Sequence, residues 1–255
     1  MPTRPPISST RRTLLLGALL GCSTTPALAA WFGGETVEGR GAVARQERRV
    51  GSFNGVSLGL PGRVELRIGE REGITVETEE NLQALIETEV EDGMLRIRPA
   101  RRNLNLRSRN LHFVVYARRI ERLSLGGSGS IESDPLRGGR IDVDIGGSGR
   151  IELQGVEADR LAVSVGGSGD LRCGGGKVGR LSVAVAGSGD VDLGRVEARE
   201  ASVNIAGSGD VTLWAQADLN ASIAGSGDIA YYGDPRVRRS VAGSGEARRL
   251  AAAPR

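Results

Sequence analysis

The sequence predicts an all-β chain, a single-stranded parallel β-helix (β-solenoid) with coils of about 20 residues, and three observations carry that expectation. The triplet Gly-Ser-Gly occurs seven times in the second half, starting at residues 127, 147, 167, 187, 207, 225 and 243, at intervals of 20, 20, 20, 20, 18 and 18. Around each triplet apolar residues alternate with polar or small ones, and the alternation keeps its phase through the triplet. Aromatic residues make up 3% of the 255 residues while glycine supplies 39, so a core has to be slender and filled by Val, Leu and Ile.

The first 29 residues read as an export signal. Arg11 and Arg12 precede the apolar run "LLLGALLG" at 14–21, and the small-residue site "ALA" at 27–29 follows Pro26. Eight apolar residues are too few to span a bilayer, which needs about 20. Two processing routes are open: cleavage after Ala29, or lipid attachment at Cys22, where "LLGC" resembles a lipobox. Residues 30–48 follow as a linker, 49–246 as the solenoid domain, and 247–255 as a C-terminal tail.

Losing the signal changes the electrostatics. It carries Arg4, Arg11 and Arg12 and no acid, so the 34 basic residues fall to 31, facing 31 acidic ones. A formally neutral chain is a poor nucleic-acid binder. The arginines at 236, 238, 239, 248 and 249 read as a solvated end. With Cys22 removed, Cys173 stands alone, which excludes an internal disulfide and a paired cysteine site.

Residues 50–125 precede the first triplet and would cover one end of a solenoid, whose terminal coils otherwise expose unpaired backbone. Strand-like runs occur at "RVELRI" (63–68), "ITVET" (74–78), "MLRIRP" (94–99) and "LHFVVYA" (111–117). A helical turn or two is expected at 81–86, where Leu82, Leu85 and Ile86 share a face. At the far end "YYGDPRVRR" (231–239) reads as an interruption.

Within one repeat, Leu181, Val183, Val185, Gly187, Gly189, Val191 and Leu193 share one parity, while Ser182, Ala184, Ala186, Ser188, Asp190 and Asp192 share the other. A pleated strand sends alternate side chains to opposite faces, so the first set is buried and the second wet. The glycine pairs Gly127/Gly129, Gly147/Gly149, Gly167/Gly169, Gly187/Gly189, Gly207/Gly209, Gly225/Gly227 and Gly243/Gly245, with the serine between them as at Ser128, are therefore expected as structural turns in a narrow interior. Twenty residues are too few for a propeller blade and carry no helical period. Stacked coils about 4.8 Å apart would align Val143, Val163, Val183 and Val203 in one column, and Ile145, Val165, Val185 and Ile205 in the next. A second sheet-forming stretch is expected at Val156 and Ala158, and at Val196 and Ala198.

The segments "FNGVSLGLPGRVELRIGE" (53–70) and "VEDGMLRIRP" (90–99), followed by the "GSGD" repeats, resemble the bacterial head GIN domain, the domain of unknown function named as an auto-transporter adhesin head. The resemblance covers about residues 49–246. It implies a secreted or envelope β-solenoid with no agreed catalytic residues, so no binding residue is carried over. Ser130 and Arg150 stand where an acid is usual in the pattern.

After the triplets come Ser130, Arg150, Asp170, Asp190, Asp210, Asp228 and Glu246. Carboxylates stacked about 4.8 Å apart repel by roughly 0.9 kcal/mol per adjacent pair even in water. The ladder Asp170, Asp190, Asp210 and Asp228 is thus either a row for a cation or polar ligand, or a row of carboxylates accepting turn amides. Calcium fits poorly: the calcium-binding nonapeptide differs in glycine–aspartate spacing and in its nine-residue period. The triplet units lack the G-x-S-x-G outline of a serine hydrolase. The lone histidine, His112, serves at most one serine of seven and reads as structural. Repetition of like groups in a line suits a contact surface better than a catalytic groove, which needs unlike groups converging. Tyr231, Tyr232 and Trp214 are the aromatics near the repeats that could stack on sugar.

The expectation is therefore an exported, non-enzymatic β-solenoid, a cell-envelope scaffold or adhesin-like contact surface. The alternative is a polysaccharide-binding or polysaccharide-degrading β-helix enzyme. No cofactor, metal or catalytic residue is assigned. The partner is an unidentified envelope or surface component, glycan or protein; nucleic acid is excluded, and a membrane enters only through a lipid anchor at Cys22.

Overall fold

Alternating apolar residues dominate the structure, a computed structural model describing residues 35–254. In chain order the N-terminal part comprises β1 (Glu35–Glu38), β2 (Val43–Arg48), β3 (Gly55–Leu58), β4 (Arg63–Ile68), β5 (Gly73–Glu79), α1 (Glu80–Gln83), β6 (Ile86–Glu91), β7 (Met94–Pro99), β8 (Leu104–Arg107) and β9 (His112–Ala117). The repeats follow as β10 (Arg122–Gly127), β11 (Ser130–Ser133), β12 (Leu136–Gly147), β13 (Arg150–Leu153), β14 (Val156–Gly167), β15 (Asp170–Cys173), β16 (Gly176–Gly187), β17 (Val191–Gly207), β18 (Val211–Gly225), β19 (Ile229–Tyr232), β20 (Arg236–Gly243) and β21 (Ala247–Arg249).

The repeats wind as a parallel β-solenoid. One face stacks β7, β3, β10, β12, β14, β16, β17, β18 and β20 in parallel register. The next stacks β9, β4, β11, β13, β15, the start of β17, the start of β18, β19 and β21. A third run joins the long strands at Val156, Gly176 and Val196, which are in register. Val143, Val163, Val183 and Val203 stand one above another, as do Ile145, Val165, Val185 and Ile205. All eight are buried. Each such side chain contributes about 1.5–3 kcal/mol through burial, and a β-branched column fills a slender interior without aromatic help.

Two constraints act on the triplet glycines: the backbone of the coil before, at both members of each pair, and the crowded interior, at the second. The first member takes the unusual backbone conformation: Gly187 has φ +139°. A Cβ there would lie 3.0 Å from the Gly167 amide nitrogen and nearer still to its carbonyl oxygen, so the obstacle is the backbone of the coil before. Glycine there lets Ser188 N–H donate to Gly167 C=O at 2.8 Å, closing coil on coil.

A turn at both glycines is corrected for the second member. Gly129, Gly149, Gly169, Gly189, Gly209, Gly227 and Gly245 do not have positive φ, and each lies one residue past the bend, which falls at the serine. All are buried except Gly245, which is partly exposed on the last coil. What requires glycine there is lack of room beside the core. A Cβ would come within 2.8 Å of the Leu58 side chain at Gly129, 2.6 Å of Leu125 at Gly149, 2.5 Å of Ile145 at Gly169 and 2.8 Å of Val165 at Gly189. At Gly209, Gly227 and Gly245 the obstacles are Val185 (2.9 Å), Ile205 (3.0 Å) and Ile223 (2.8 Å). At every one of these positions a carbonyl oxygen of the preceding coil stands in the way as well. These glycines are spacers between coils, not turns.

Antiparallel strands close the first end. β6 pairs antiparallel with β7 on one face, and β5 with β9, then β2 with β5, on the other. The stretch 30–48 is therefore not a linker where it is described: β1 pairs with β8, and β2 is the outermost strand of the cap. β2 escapes an apolar-alternation reading because polar bonds fix it. The Arg48 guanidinium donates to the carbonyls of Ile86 (2.6 Å) and Gln83 (2.7 Å). The helix is shorter than 81–86: α1 ends at Gln83, only Leu82 is buried on it, and Ile86 opens β6.

Two corrections concern the far end. "YYGDPRVRR" does not interrupt the solenoid, because Arg236, Val237 and Arg238 continue in register on Asp218, Leu219 and Asn220. Nor is 247–255 only a tail: Ala247–Arg249 pairs with β19, and Leu250 N–H donates to Tyr231 C=O at 2.8 Å. The segment read as an export signal, with Cys22 and Ala29, lies outside the described residues.

Candidate functional site

Stacking in register turns residues 20 positions apart into neighbours. Two places beyond each post-triplet residue, Glu132, Glu152, Arg172, Asp192 and Thr212 form one outward column. After two more residues the chain turns a corner at Gln154, Gly174 and Gly194. Between column and corner runs a groove of about 740 Å³, closed at its far end by Tyr232 and Pro254. Small residues keep it open: a Cβ on Gly194 would stand 3.0 Å from the Thr212 methyl and 3.3 Å from the Tyr232 ring. Its floor includes Cys173, whose thiol donates to Gly175 C=O at 3.4 Å and is pushed up in pKa by burial. Asp192 is held by the Gly194 amide at 3.1 Å, and Glu132 accepts from Arg63. Glu152 and Arg172, adjacent in the column, form no ion pair among the described residues and present their polar ends to the groove. The arrangement offers hydrogen-bond donors and acceptors along a line, with an aromatic ring at one end.

The acidic ladder is placed beside this groove and is tied to the coil stacking. Asp190 accepts from the Asp210 amide (3.1 Å), Asp210 from the Asp228 amide (2.9 Å), and Asp228 from the Glu246 amide (2.8 Å). Asp170 pairs with Arg150 at 3.2 Å, so the departure at Arg150 neutralises the first acid. The amides come from the following coil, not from the residue's own turn.

The other singled-out residues scatter. His112 lies on β9, partly exposed, with Nε2 3.7 Å from Glu65. Trp214 stacks beneath Tyr232 in register, and Tyr231 packs against the core, leaving Tyr232 as the aromatic that reaches the groove. Arg236 pairs with Asp218 at 2.9 Å and Arg249 with Asp234 at 3.5 Å, on the last coil. One motif outside the repeats spells G-x-S-x-G, at 55–59, but Ser57 sits in a straight strand between Arg96 and Ser124. A nucleophile serine of that outline needs a sharp strand-to-helix turn. Sequence reasoning missed the groove because its lining residues recur every 20 positions with unlike identities; the register, once known, assembles them.

At the capping end a second cavity of about 610 Å³ holds a buried carboxylate, Glu79, beside Arg107 and Arg109. Ser108 Oγ (2.7 Å) and Thr78 Oγ1 (3.0 Å) donate to it. The Ser108 bond, outweighing burial, holds this carboxyl below the usual range.

A family model described as "Putative auto-transporter adhesin, head GIN domain" matches residues 52–235. Among solved structures, a "Putative lipid binding protein" from Parabacteroides distasonis is 28% identical, with a TM-score of 0.71 over 85% of this chain and 100% of its own. A "putative adhesin" from Bacteroides fragilis has a TM-score of 0.78 at 21% identity, over 84% of this chain and 100% of its own. Another, from Parabacteroides merdae, has a TM-score of 0.67 at 17% identity, over 85% and 100%. The last two are similar in fold. No curated protein matches. With the solenoid, its cap and the order of its motifs in place, this chain belongs to the head GIN domain family.

Proposed function

We propose that this chain is an exported, non-enzymatic contact protein of the cell envelope, an adhesin-like surface or scaffold whose lateral groove takes a glycan. The observation that carries the reading is the column Glu132, Glu152, Arg172, Asp192 and Thr212, running along the groove towards Tyr232. Hydroxyl-rich polymers are recognised by such rows of donors and acceptors, with a ring face for the sugar's apolar side. Membership of a family described as an adhesin head supports a contact role, and an N-terminal sequence that reads as an export signal supports export. Attachment at Cys22 would hold the domain at a membrane without the solenoid entering it. Of the three carboxylates in the column, Glu132 is bound by Arg63 and Asp192 by the Gly194 amide, which leaves Glu152 alone and favours holding over cleaving, since hydrolysis needs two carboxyl groups flanking a single bond.

Immobilised protein is offered to a glycan array and to envelope extracts, alongside Tyr232→Ala and Arg172→Ala. The proposal expects retention of a glycan, at least tenfold weakening in both variants, and unchanged retention in Asp190→Ala. Retention of nothing, or retention indifferent to both groove changes, overturns it. Glycan cleavage that disappears in Glu152→Gln would transfer the groove to the enzyme alternative.

A further inference from the structure

One outward column of charged side chains on this solenoid alternates strictly in sign. Arg137 lies against Glu157 (3.4 Å) and Lys177 against Glu197 (3.1 Å), four residues of one outward column with signs plus, minus, plus, minus. Three residues further along the chain like charges stack instead: Arg140, Arg160 and Arg180 occupy successive coils in register. Arg140 is held by Asp142 at 2.9 Å and Arg180 by Glu200 at 3.3 Å. Arg160, between them, makes no ion pair or side-chain hydrogen bond among the described residues, and neither does Arg199 at the next corner.

The ground around this row is kept low. On the corner side the successive residues are Gly139, Asp159, Gly179 and Arg199; the two glycines bear no side chain, leaving a depression of about 410 Å³ lined by Arg160 and Arg199 together with the carboxylates of Asp159 and Glu200. On the sheet side, the neighbouring column is Ala162, Ser182 and Ser202, in register, and forms the floor of a second depression of about 380 Å³. The same three arginines line that one as well, with Glu200, the partner of Arg180, at its edge. Two open troughs thus run along the solenoid axis, separated by a ridge of guanidinium groups. Guanidinium presents a flat fork of donors that matches carboxylate, sulfate and phosphate oxygens.

We infer that the Arg140–Arg160–Arg180 ridge, with Arg199, is a binding site for a linear acidic polysaccharide lying along the solenoid axis, its anionic groups meeting Arg160 and Arg199 directly. A trough parallel to the axis fits a polymer better than a flat membrane, which would touch ridges only. This site is separate from the glycan groove and does not depend on it.

The test is fluorescence anisotropy of labelled dextran sulfate oligosaccharide with the full chain, against labelled neutral dextran, and flotation with phosphatidylglycerol vesicles. Binding of dextran sulfate but not dextran is expected, weakened at least tenfold in Arg160→Ala/Arg199→Ala and largely kept in Arg160→Lys/Arg199→Lys. The dependence on salt should be shallower in the alanine variant, because fewer counterions are released. Arg160 and Arg199 are exposed, and circular dichroism of each variant establishes an intact fold. Tyr232→Ala, which disables the groove, should leave dextran sulfate binding unchanged. Absence of binding, equal binding of neutral dextran, or an unaffected alanine variant overturns the assignment. Flotation with vesicles without binding of the soluble oligosaccharide also overturns it, in favour of a lipid surface.

Discussion

The closeness of successive coils can be tested with two alanines that share a backbone conformation and differ in what lies before them. Gly207 has φ +139° and Gly127 φ +117°, both in the region that L side chains rarely adopt. Placing alanine in either costs about 1–3 kcal/mol in backbone strain. At Gly207 the new Cβ would stand 3.0 Å from the carbonyl carbon and 3.1 Å from the nitrogen of Gly187, and closer to its oxygen. Those are backbone atoms, held by the Ser208 N–H bond to Gly187 C=O at 2.8 Å, and they cannot swing aside. Overpacking of this kind adds about 1–3 kcal/mol. At Gly127 nothing lies within 4 Å of the added atom. Gly207→Ala should thus lose about 2–6 kcal/mol and Gly127→Ala about 1–3 kcal/mol. Against a total of about 5–15 kcal/mol, that difference decides whether the domain stays folded at growth temperature. For a domain of this size each kcal/mol moves Tm by about 2–4 °C, so the two melting curves, followed by far-ultraviolet circular dichroism, should separate by several degrees. If the two alanines melt together, the coils are not as close as the backbone geometry requires, and the glycines are kept for conformation alone.

The acidic ladder gives a prediction of sign. Asp210→Ala removes the acceptor of the Asp228 amide and should destabilise by about 1 kcal/mol, with Asp210→Asn losing less; a stabilised Asp210→Ala would mean that repulsion between carboxylates outweighs those bonds. The open edge gives another. β20 is exposed along its length, and Arg239 stands on Ala221 where preceding coils carry Val203 and Val183, an inward charge of the kind that blocks edge-to-edge pairing. Arg239→Val should therefore produce concentration-dependent association in sedimentation velocity where the parent protein shows none, and a variant indistinguishable from its parent would refute that role. Glu79 gives a pH dependence. Its carboxyl is held below 4.5 in the fold, so its contribution is present above 4.5 and is lost as the pH falls through the lower folded value. Between about pH 5 and about pH 3, Tm should fall less steeply in Glu79→Gln than in the parent protein; equal slopes would remove Glu79 as a source of acid sensitivity.

How much of this was legible differs from residue to residue. The strands at 63–68 and 94–99 carry their own alternation, and β4 and β7 have those bounds. β6, "IETEVE", hides behind outward carboxylates that bind Arg98 across the hairpin (2.8 Å to Glu87) and Arg96 (2.8 Å to Glu91). The two glycines of each triplet share a parity and look alike in the sequence; only the positive φ of the first member, and the contact of the second with side chains such as Ile145 below Gly169, separate a turn from a spacer. The acids at 190, 210 and 228 were visible as a row, but their acceptor role needs an amide 18 or 20 residues later at hydrogen-bond distance. The groove was invisible for the same reason: Glu152, Arg172, Asp192 and Thr212 share no residue type, only a place in the coil.

By itself the amino-acid order determined the period, the buried parity and the columns of Val and Ile, because in a solenoid each coil meets a near copy of itself and local pattern repeats as contact. The tertiary structure alone decided the rest. The antiparallel cap joins segments with no shared pattern, such as Val43–Arg48 on Gly73–Glu79, and their pairing is specified by hydrogen bonds from Arg48 and Gln83 that no periodicity announces. The groove and the arginine ridge are likewise products of register, since only stacking turns a spacing of 20 residues into a neighbouring strand.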